Sequence, residues 1–98
     1  MNATKIIVKD LVHSTLSNAG GFQLQIAIDN ALANADNIIL SFHDINTISS
    51  SFLNSSLGNI VDQYGFDILN KIKIIDYTSP IASFLKKYIS DLKSLSAF

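Results

Sequence analysis

The segment 38-IILSFHDINTISSSFLNSSLGNI-60 joins a short apolar run to a cluster of serines. Five serines fall between positions 49 and 56, and no residue after Asp44 in this segment carries a charge. The run 38–42 shows little alternation, which is typical of a strand buried on both faces. Residues 49–51 suit a helix start, because serine side chains accept hydrogen bonds from the free N–H groups of a first turn.

The helix that follows is predicted to run from these serines to about Gln63, with Gly65 as its C-terminal stop. Ser55 and Ser56 lie inside it, and a solvated helix surface is the preferred interpretation of both. The alternative is that these small side chains allow close packing against the sheet or a partner. The apolar positions of the helix recur on one face: Phe52, Leu53, Leu57, Ile60, Val61 and Tyr64.

Outward from this segment, strands and helices alternate along the chain. The β-branched residues 5–12 predict a strand, and residues 13–21, which include Ser, Asn and a Gly pair, are typical of a turn. Apolar spacing predicts a helix over residues 22–35. Residues 71–77 predict a third buried strand, and Pro80 suits the first position of a final, strongly periodic helix.

The element order is therefore strand, helix, strand, helix, strand, helix. Such alternation predicts an α/β fold with a largely parallel sheet covered by helices, in one domain over residues 1–98. Binding sites in such folds lie where the carboxyl ends of strands lead into helix N-termini. The serine cluster follows the strand 38–42 and occupies one of these junctions.

Composition excludes several classes of protein. The chain is 48% hydrophobic and 15% charged with a net charge of −1, and its seven basic residues are all lysine, so nucleic acid is not an expected partner. The lack of cysteine removes disulfides and thiolate zinc sites. The N-terminal sequence resembles neither a signal peptide nor a membrane span, so we expect a soluble cytoplasmic protein with no membrane partner.

No set of residues in the sequence indicates catalysis. His43 and Asp44 stand close to the serines, but adjacent side chains on an extended loop are expected to point apart, and no Gly-x-Ser-x-Gly elbow occurs. His13 and His43 lack a third ligand at suitable spacing for a metal. We therefore predict no catalytic residue, no metal and no cofactor.

The junction 49-SSSFLN-54 resembles the STAS domain of anti-sigma factor antagonists, where a strand and short loop lead into Asp-Ser-Ser-Gly-Leu-Gly. In that family the first of the two serines is phosphorylated by an ATP-dependent kinase, and Ser50 matches it here. Ser49 replaces the acid, and Phe52 and Asn54 replace the two glycines. Ser41-Phe42 followed by 50-SSFLN-54 is more similar to a small bacterial STAS-like family whose function is unassigned.

This resemblance implies a mixed, mostly parallel sheet of about four strands and a role in regulated protein–protein binding. It makes Ser50 and Ser51 the candidate phosphoacceptors, and an ATP-binding kinase of the anti-sigma type the expected partner. The partner is expected to dock on the loop 43–51 and the start of the helix. The predicted partner-binding residues are His43, Asp44, Ser49, Phe52 and Asn54.

Three other interpretations stay open. The serines can act only as helix caps, and Asn54 can assist capping in the first turn. The domain can be a constitutive structural or homo-oligomeric module that uses apolar helix faces. It can also bind a small anion or a nucleotide, because free N–H groups at a strand–helix junction suit anionic ligands.

Overall fold

The computed structural model describes residues 3–96, and the side chains of residues 3–94. The strands are β1 (Ala3–Ile7), β2 (Asn37–Ser41) and β3 (Ile72–Ile75). The helices are α1 (Val8–Leu11), α2 (Asn18–Leu32), α3 (Ser50–Leu53), α4 (Asn59–Tyr64) and α5 (Ser79–Ser96). A π-helical turn (Asn54–Gly58) joins α3 to α4, and a 3-10 helix (Phe66–Lys71) precedes β3. We call residues 50–64, which form one continuous helical rod, the central helix.

The three strands form a parallel sheet in the order β1-β2-β3. Ile6 of β1 lies beside Leu40 of β2, which in turn lies beside Ile74 of β3. The predicted α/β class and parallel pairing are thus confirmed. Among residues 3–96 there is no fourth strand, and α1 and the 3-10 helix interrupt the simple alternation that the sequence predicts.

The hydrophobic core lies between one face of the sheet and the helices. Ile38 and Leu40 point into it from the central strand, and both are fully buried. The helices contribute most of the other large buried side chains, so the helices turn apolar stripes toward the sheet, and the loop after β2 adds Phe42, Ile45 and Ile48. The side chains from the helices are Leu24 and Ile28 of α2, Phe52, Leu53, Leu57 and Ile60 of the central helix, and Ile81 and Leu85 of α5.

The first strand is shorter than its β-branched sequence predicts. Residues 5–12 were expected to be extended, but β1 ends at Ile7 and the next four residues form the helical turn α1. Ile7 pairs with Ser41, which is the last residue of β2. Because β1 pairs with no other strand in the described sheet, its ladder ends where β2 ends.

The glycine pair of the predicted turn instead lies in the first turn of α2. The helix begins at Asn18, and the Ser17 hydroxyl caps it by accepting a hydrogen bond from the Gly20 N–H at 3.1 Å. Gly20 and Gly21 are both buried. The helix therefore starts four residues earlier than predicted, because these glycines are used for close packing and not for a turn.

The helices of the described residues 3–96 cover one face of the sheet far more closely than the other, which corrects two strand predictions. The central strand was expected to be buried on both faces, yet Ile39 is half-buried while its neighbours Ile38 and Leu40 are fully buried. The predicted buried strand 71–77 is the edge strand β3, with Lys73 exposed and its isoleucines half-buried. An unbroken apolar run thus does not distinguish one covered face from two.

Candidate functional site

The loop between β2 and the central helix is held by apolar residues that point into the core. Ile45 and Ile48 are buried, and the Ile45 N–H donates a hydrogen bond to the Phe42 carbonyl oxygen at 3.1 Å. Asp44 adopts a left-handed conformation with φ 59°, which aspartate tolerates better than most residues. The polar residues next to these anchors, His43 and Asp44 before Ile45 and Asn46 and Thr47 after it, are therefore presented on the surface.

Three charged or titratable side chains meet at the carboxyl ends of β1 and β2. The Lys9 Nζ donates a hydrogen bond to the Asp44 Oδ2 at 3.1 Å, and the His43 Nε2 lies 3.6 Å from the same oxygen. The hydrogen bond from Lys9 lowers the pKa of the Asp44 carboxyl below its ordinary value of 3.8, and His43 adds to the effect. This carboxylate is therefore held in its charged form.

The side chains of His43 and Asp44 thus converge, and the expectation that they point apart is wrong. The left-handed turn at Asp44 reverses the direction of the chain, so neighbouring side chains no longer alternate as they do on an extended loop. Among residues 3–94, however, no hydrogen bond joins the His43 imidazole to a serine hydroxyl. The Ser41 hydroxyl accepts from the His43 backbone N–H and donates to Asp76 at 2.7 Å.

A second loop closes over the first and leaves a cleft between them. The Thr15 hydroxyl donates to the Thr47 carbonyl oxygen at 2.6 Å, and the Ser49 N–H donates to the Thr15 carbonyl oxygen at 3.1 Å. The cleft has a volume of about 440 Å³ and is lined by residues 12–16 and 44–47 together with Lys9. Its position at the carboxyl edge of a parallel sheet is where binding sites of α/β folds occur.

The three serines at the start of the central helix have different environments. The Ser49 hydroxyl caps the helix by accepting a hydrogen bond from the Phe52 N–H at 3.1 Å. Ser50 and Ser51 occupy the first two helical positions, both are exposed, and their hydroxyls form no hydrogen bond with any described residue. Capping is thus the task of Ser49 alone, and the two candidate phosphoacceptors face solvent.

The two residues that replace glycine in the resembled motif both make contacts within the domain. Phe52 is fully buried in the core, so its side chain is not part of the surface on which a partner was predicted to bind. Asn54 is exposed, but its Oδ1 accepts a hydrogen bond from the Tyr88 hydroxyl at 2.7 Å. Asn54 therefore ties the central helix to α5.

Ser55 and Ser56 are buried, so the preferred expectation of a solvated surface is wrong. The alternative of close packing is right, but Ser55 packs against α2 and not against the sheet or a partner. The Ser55 hydroxyl donates to the Asn18 Oδ1 at 3.0 Å, and the Ser56 hydroxyl donates to the Phe52 carbonyl oxygen at 2.7 Å. These bonds satisfy hydroxyls that would otherwise be costly to bury. The only sign of this packing in the sequence was the pair of small residues Ser55 and Ser56. That sign has no helical or strand periodicity, so it did not identify the contact.

The described part of the chain has neither a metal-binding cluster nor a membrane-spanning helix. Its side chains contain no group of three or more His, Asp or Glu residues placed to hold a metal ion. None of its helices combines the length and the apolar character that crossing a membrane requires.

Residues 23–82, which include β2, the loop and the whole central helix, match the family model described as "STAS-like domain of unknown function (DUF4325)". The chain belongs to this STAS-like family. The resemblance inferred from 50-SSFLN-54 is thereby confirmed, and the sheet and helices of the STAS-like domain agree with it. No curated protein and no solved structure matches the chain significantly.

Proposed function

We propose that this STAS-like domain is a non-enzymatic regulatory module that binds a protein partner and is released by phosphorylation of Ser50 or Ser51. The binding surface consists of the exposed loop and helix start, and we call it the switch surface: His43, Asp44, Ser49, Ser50 and Ser51. One observation carries the proposal. Ser49 alone caps the helix, so the adjacent Ser50 and Ser51 hydroxyls are exposed and not needed for the fold.

A phosphate at this position would change the surface without disrupting the helix. It adds about −1.5 to −2 charges, and the positive end of a helix dipole favours negative charge in the first turn. The switch surface already presents the Asp44 carboxylate, neutralised in part by Lys9. A partner adapted to the unmodified surface would therefore meet a large excess of negative charge.

The partner that we propose, from the resemblance to anti-sigma factor antagonists, is an ATP-binding kinase of the anti-sigma type. Such a partner both docks on the serine-bearing surface and transfers the phosphoryl group that ends docking. Because Phe52 is buried and Asn54 bonds to Tyr88, contact with the partner falls on the polar residues of the switch surface. We propose no catalytic group in the domain itself.

Intact-mass spectrometry with site mapping, on protein purified from its own host under several growth conditions, tests the switch. We expect one phosphate on Ser50 or Ser51. The exposed Ser90 of α5 is the matched control and should carry none. Lack of phosphate at both sites in every condition, or equal phosphate on Ser90, would contradict the proposal.

An anionic ligand in the cleft beside Lys9 and His13 is the second candidate function, favoured by the volume and location of that cleft. A ligand that binds only the folded state raises the melting temperature. Thermal unfolding with ATP, ADP or inorganic phosphate tests it. The Lys9→Met variant should lose any rise that is caused by binding in the cleft.

A further inference from the structure

The face of the sheet opposite the helices carries an ordered pattern of apolar and basic residues. In the register of the three strands, Lys5 lies beside Ile39 and Ile39 lies beside Lys73, so the two lysines flank an isoleucine in one row. In the row two residues further along the strands, Ile7 and Ile75 lie on either side of Ser41. We call this surface the open face, and its members are Lys5, Ile7, Ile39, Lys73 and Ile75.

Burial shows that the described helices leave most of this face uncovered, although Ser41, whose hydroxyl bonds to Asp76, is 1% exposed. Ile6 and Leu40, which point to the opposite face, are 9% and 0% exposed, whereas Ile7 is 38% exposed. Lys5 and Lys73 are exposed, and Ile39 is half-buried although it lies on the central strand. Contacts of α5 with the central helix and with Ile74 place α5 on the covered side as well.

An uncovered apolar face is unusual for a sheet of this kind. All-parallel sheets occur almost only with both faces covered, whereas antiparallel sheets tolerate a wet face by alternating polar residues. The open face follows that polar pattern only in part, since isoleucine occurs on each of the three strands among the polar residues of the face. These side chains therefore favour a covering element that is not among residues 3–96.

The dimensions of the open face favour a single helix as this element. Lys5 and Lys73 lie on strands two spacings apart, about 10 Å, which is close to the diameter of a helix of about 10–12 Å. Three strand widths are about 15 Å, and strands of five residues are about 17 Å long, so the face covers roughly 250 Å², far below the ~800 Å² per partner of a stable dimer interface. Two copies packed face to face would also bring four lysines together.

We propose that the open face docks an amphipathic helix of a partner protein, with an apolar stripe flanked on both sides by Asp or Glu. The stripe covers Ile7, Ile39 and Ile75, and the acidic flanks pair with Lys5 and Lys73. Opposite charges at the rim fix the orientation of the helix more than they add affinity. This surface is separate from the switch surface, so an experiment that contradicts one proposal leaves the other unaffected.

The probe is a synthetic amphipathic peptide of about four helical turns with a leucine stripe flanked by glutamates, paired with a peptide in which lysines replace the glutamates. Binding is followed by amide chemical shifts of the isotopically labelled domain. The glutamate peptide should shift the amides of Lys5, Ile39 and Lys73 and their neighbours. The lysine peptide should bind at least about fivefold more weakly, because two rim ion pairs become repulsions.

Charge reversal on the domain supplies the decisive variant. Lys5→Glu combined with Lys73→Glu should reverse the preference, so that the lysine peptide binds better. Both side chains are exposed, so the fold should survive, and the urea unfolding midpoint verifies this. Lys86→Glu combined with Lys87→Glu on α5 makes the same change in net charge and should leave the preference for glutamate intact.

Three results would overturn the proposal. One is that the amide chemical shifts of the open face do not change at about 1 mM glutamate peptide, a concentration at which even a weak complex is populated. Another is an unchanged preference in the Lys5→Glu, Lys73→Glu variant. The third is a concentration-dependent dimer in sedimentation experiments that the Ile39→Lys variant abolishes, which would assign the open face to a second copy of the chain.

Discussion

Gly21 of α2 and Ser55 of the central helix are in such close contact that a Cβ atom built on Gly21 would lie 2.6 Å from the Ser55 Cβ. The same atom would lie 2.5 Å from the Phe52 carbonyl oxygen. Real Cβ atoms do not approach other heavy atoms so closely, so this glycine sets the distance between the two helices. The buried serines of the central helix belong to this contact.

Gly21→Ala should destabilise the domain by about 1–3 kcal/mol, although alanine is the better helix former. The added methyl group meets a backbone oxygen, which cannot move aside as a flexible side chain can. Urea unfolding measures the loss as a lower midpoint at an unchanged slope. Ala19→Ser is the control, since it adds one atom at an exposed position of the same helix. A Gly21→Ala variant as stable as this control would contradict the close contact.

Ser49→Ala should cost about 1 kcal/mol, because Ser49 is the one side chain among the described residues that caps the N-terminus of the central helix. For a domain of this size the melting temperature should fall by about 4–8 °C. Ser50→Ala should change stability by less than about 0.5 kcal/mol, since the Ser50 side chain is exposed. Equal losses for the two variants in thermal unfolding would show that capping is shared.

Phe52→Ala should cost about 3–5 kcal/mol, as expected for a large-to-small change of a fully buried aromatic residue. The matched control is Phe22→Ala on α2, where the side chain is 49% exposed and the loss should be about 0.5 kcal/mol or less. Chemical unfolding separates the two variants. If Phe52→Ala unfolded like wild type yet lost a partner, the predicted partner contact of Phe52 would be restored.

Lys9→Met should raise the pKa of Asp44 toward the ordinary carboxyl value of 3.8, because the hydrogen bond from Lys9 is the main cause of its lowering. A carboxyl group whose folded-state pKa is lowered stabilises the fold above its unfolded-state pKa. That contribution is lost as pH falls through the lowered folded-state pKa, hence below about pH 4. A titration of the Asp44 carboxyl carbon by NMR measures the change.

Lys87→Met is the control for this titration, because it removes an exposed lysine on α5 and should leave the Asp44 pKa unchanged. An Asp44 pKa that is the same in wild type and in Lys9→Met would mean that the ion pair of Lys9 and Asp44 is not formed in solution.

Features that depend on local chemistry were predictable from the sequence. The helix that follows β2 was placed at the serine cluster because capping needs only a side-chain oxygen near the first N–H groups. Gly65 was predicted to end this helix, and α4 does end at Tyr64 with Gly65 at φ 91°. The motif 50-SSFLN-54 was sufficient to indicate the STAS-like family.

Features that depend on non-local contact were not predictable. The burial of Ser55 follows from its contact with Gly21 and Asn18 of α2, and no spacing in the sequence connects these residues. The environment of Phe52 was also misjudged, because a residue at the start of a helix faces either a partner or the core according to how the helix is docked. His43 and Asp44 converge for a local reason instead, the left-handed backbone conformation of Asp44, which no pattern in the sequence indicated.

The sequence by itself determined the α/β class, the start of the central helix and the lack of cysteine chemistry. Each of these follows from periodicity or capping, which involve a few neighbouring residues, or from composition, which does not depend on residue order. Only the tertiary structure decided where β1 ends, which serines are buried and which face of the sheet stays open. Those properties depend on contacts between segments that are distant in the sequence. The free energy of such a contact cannot be derived from either segment alone.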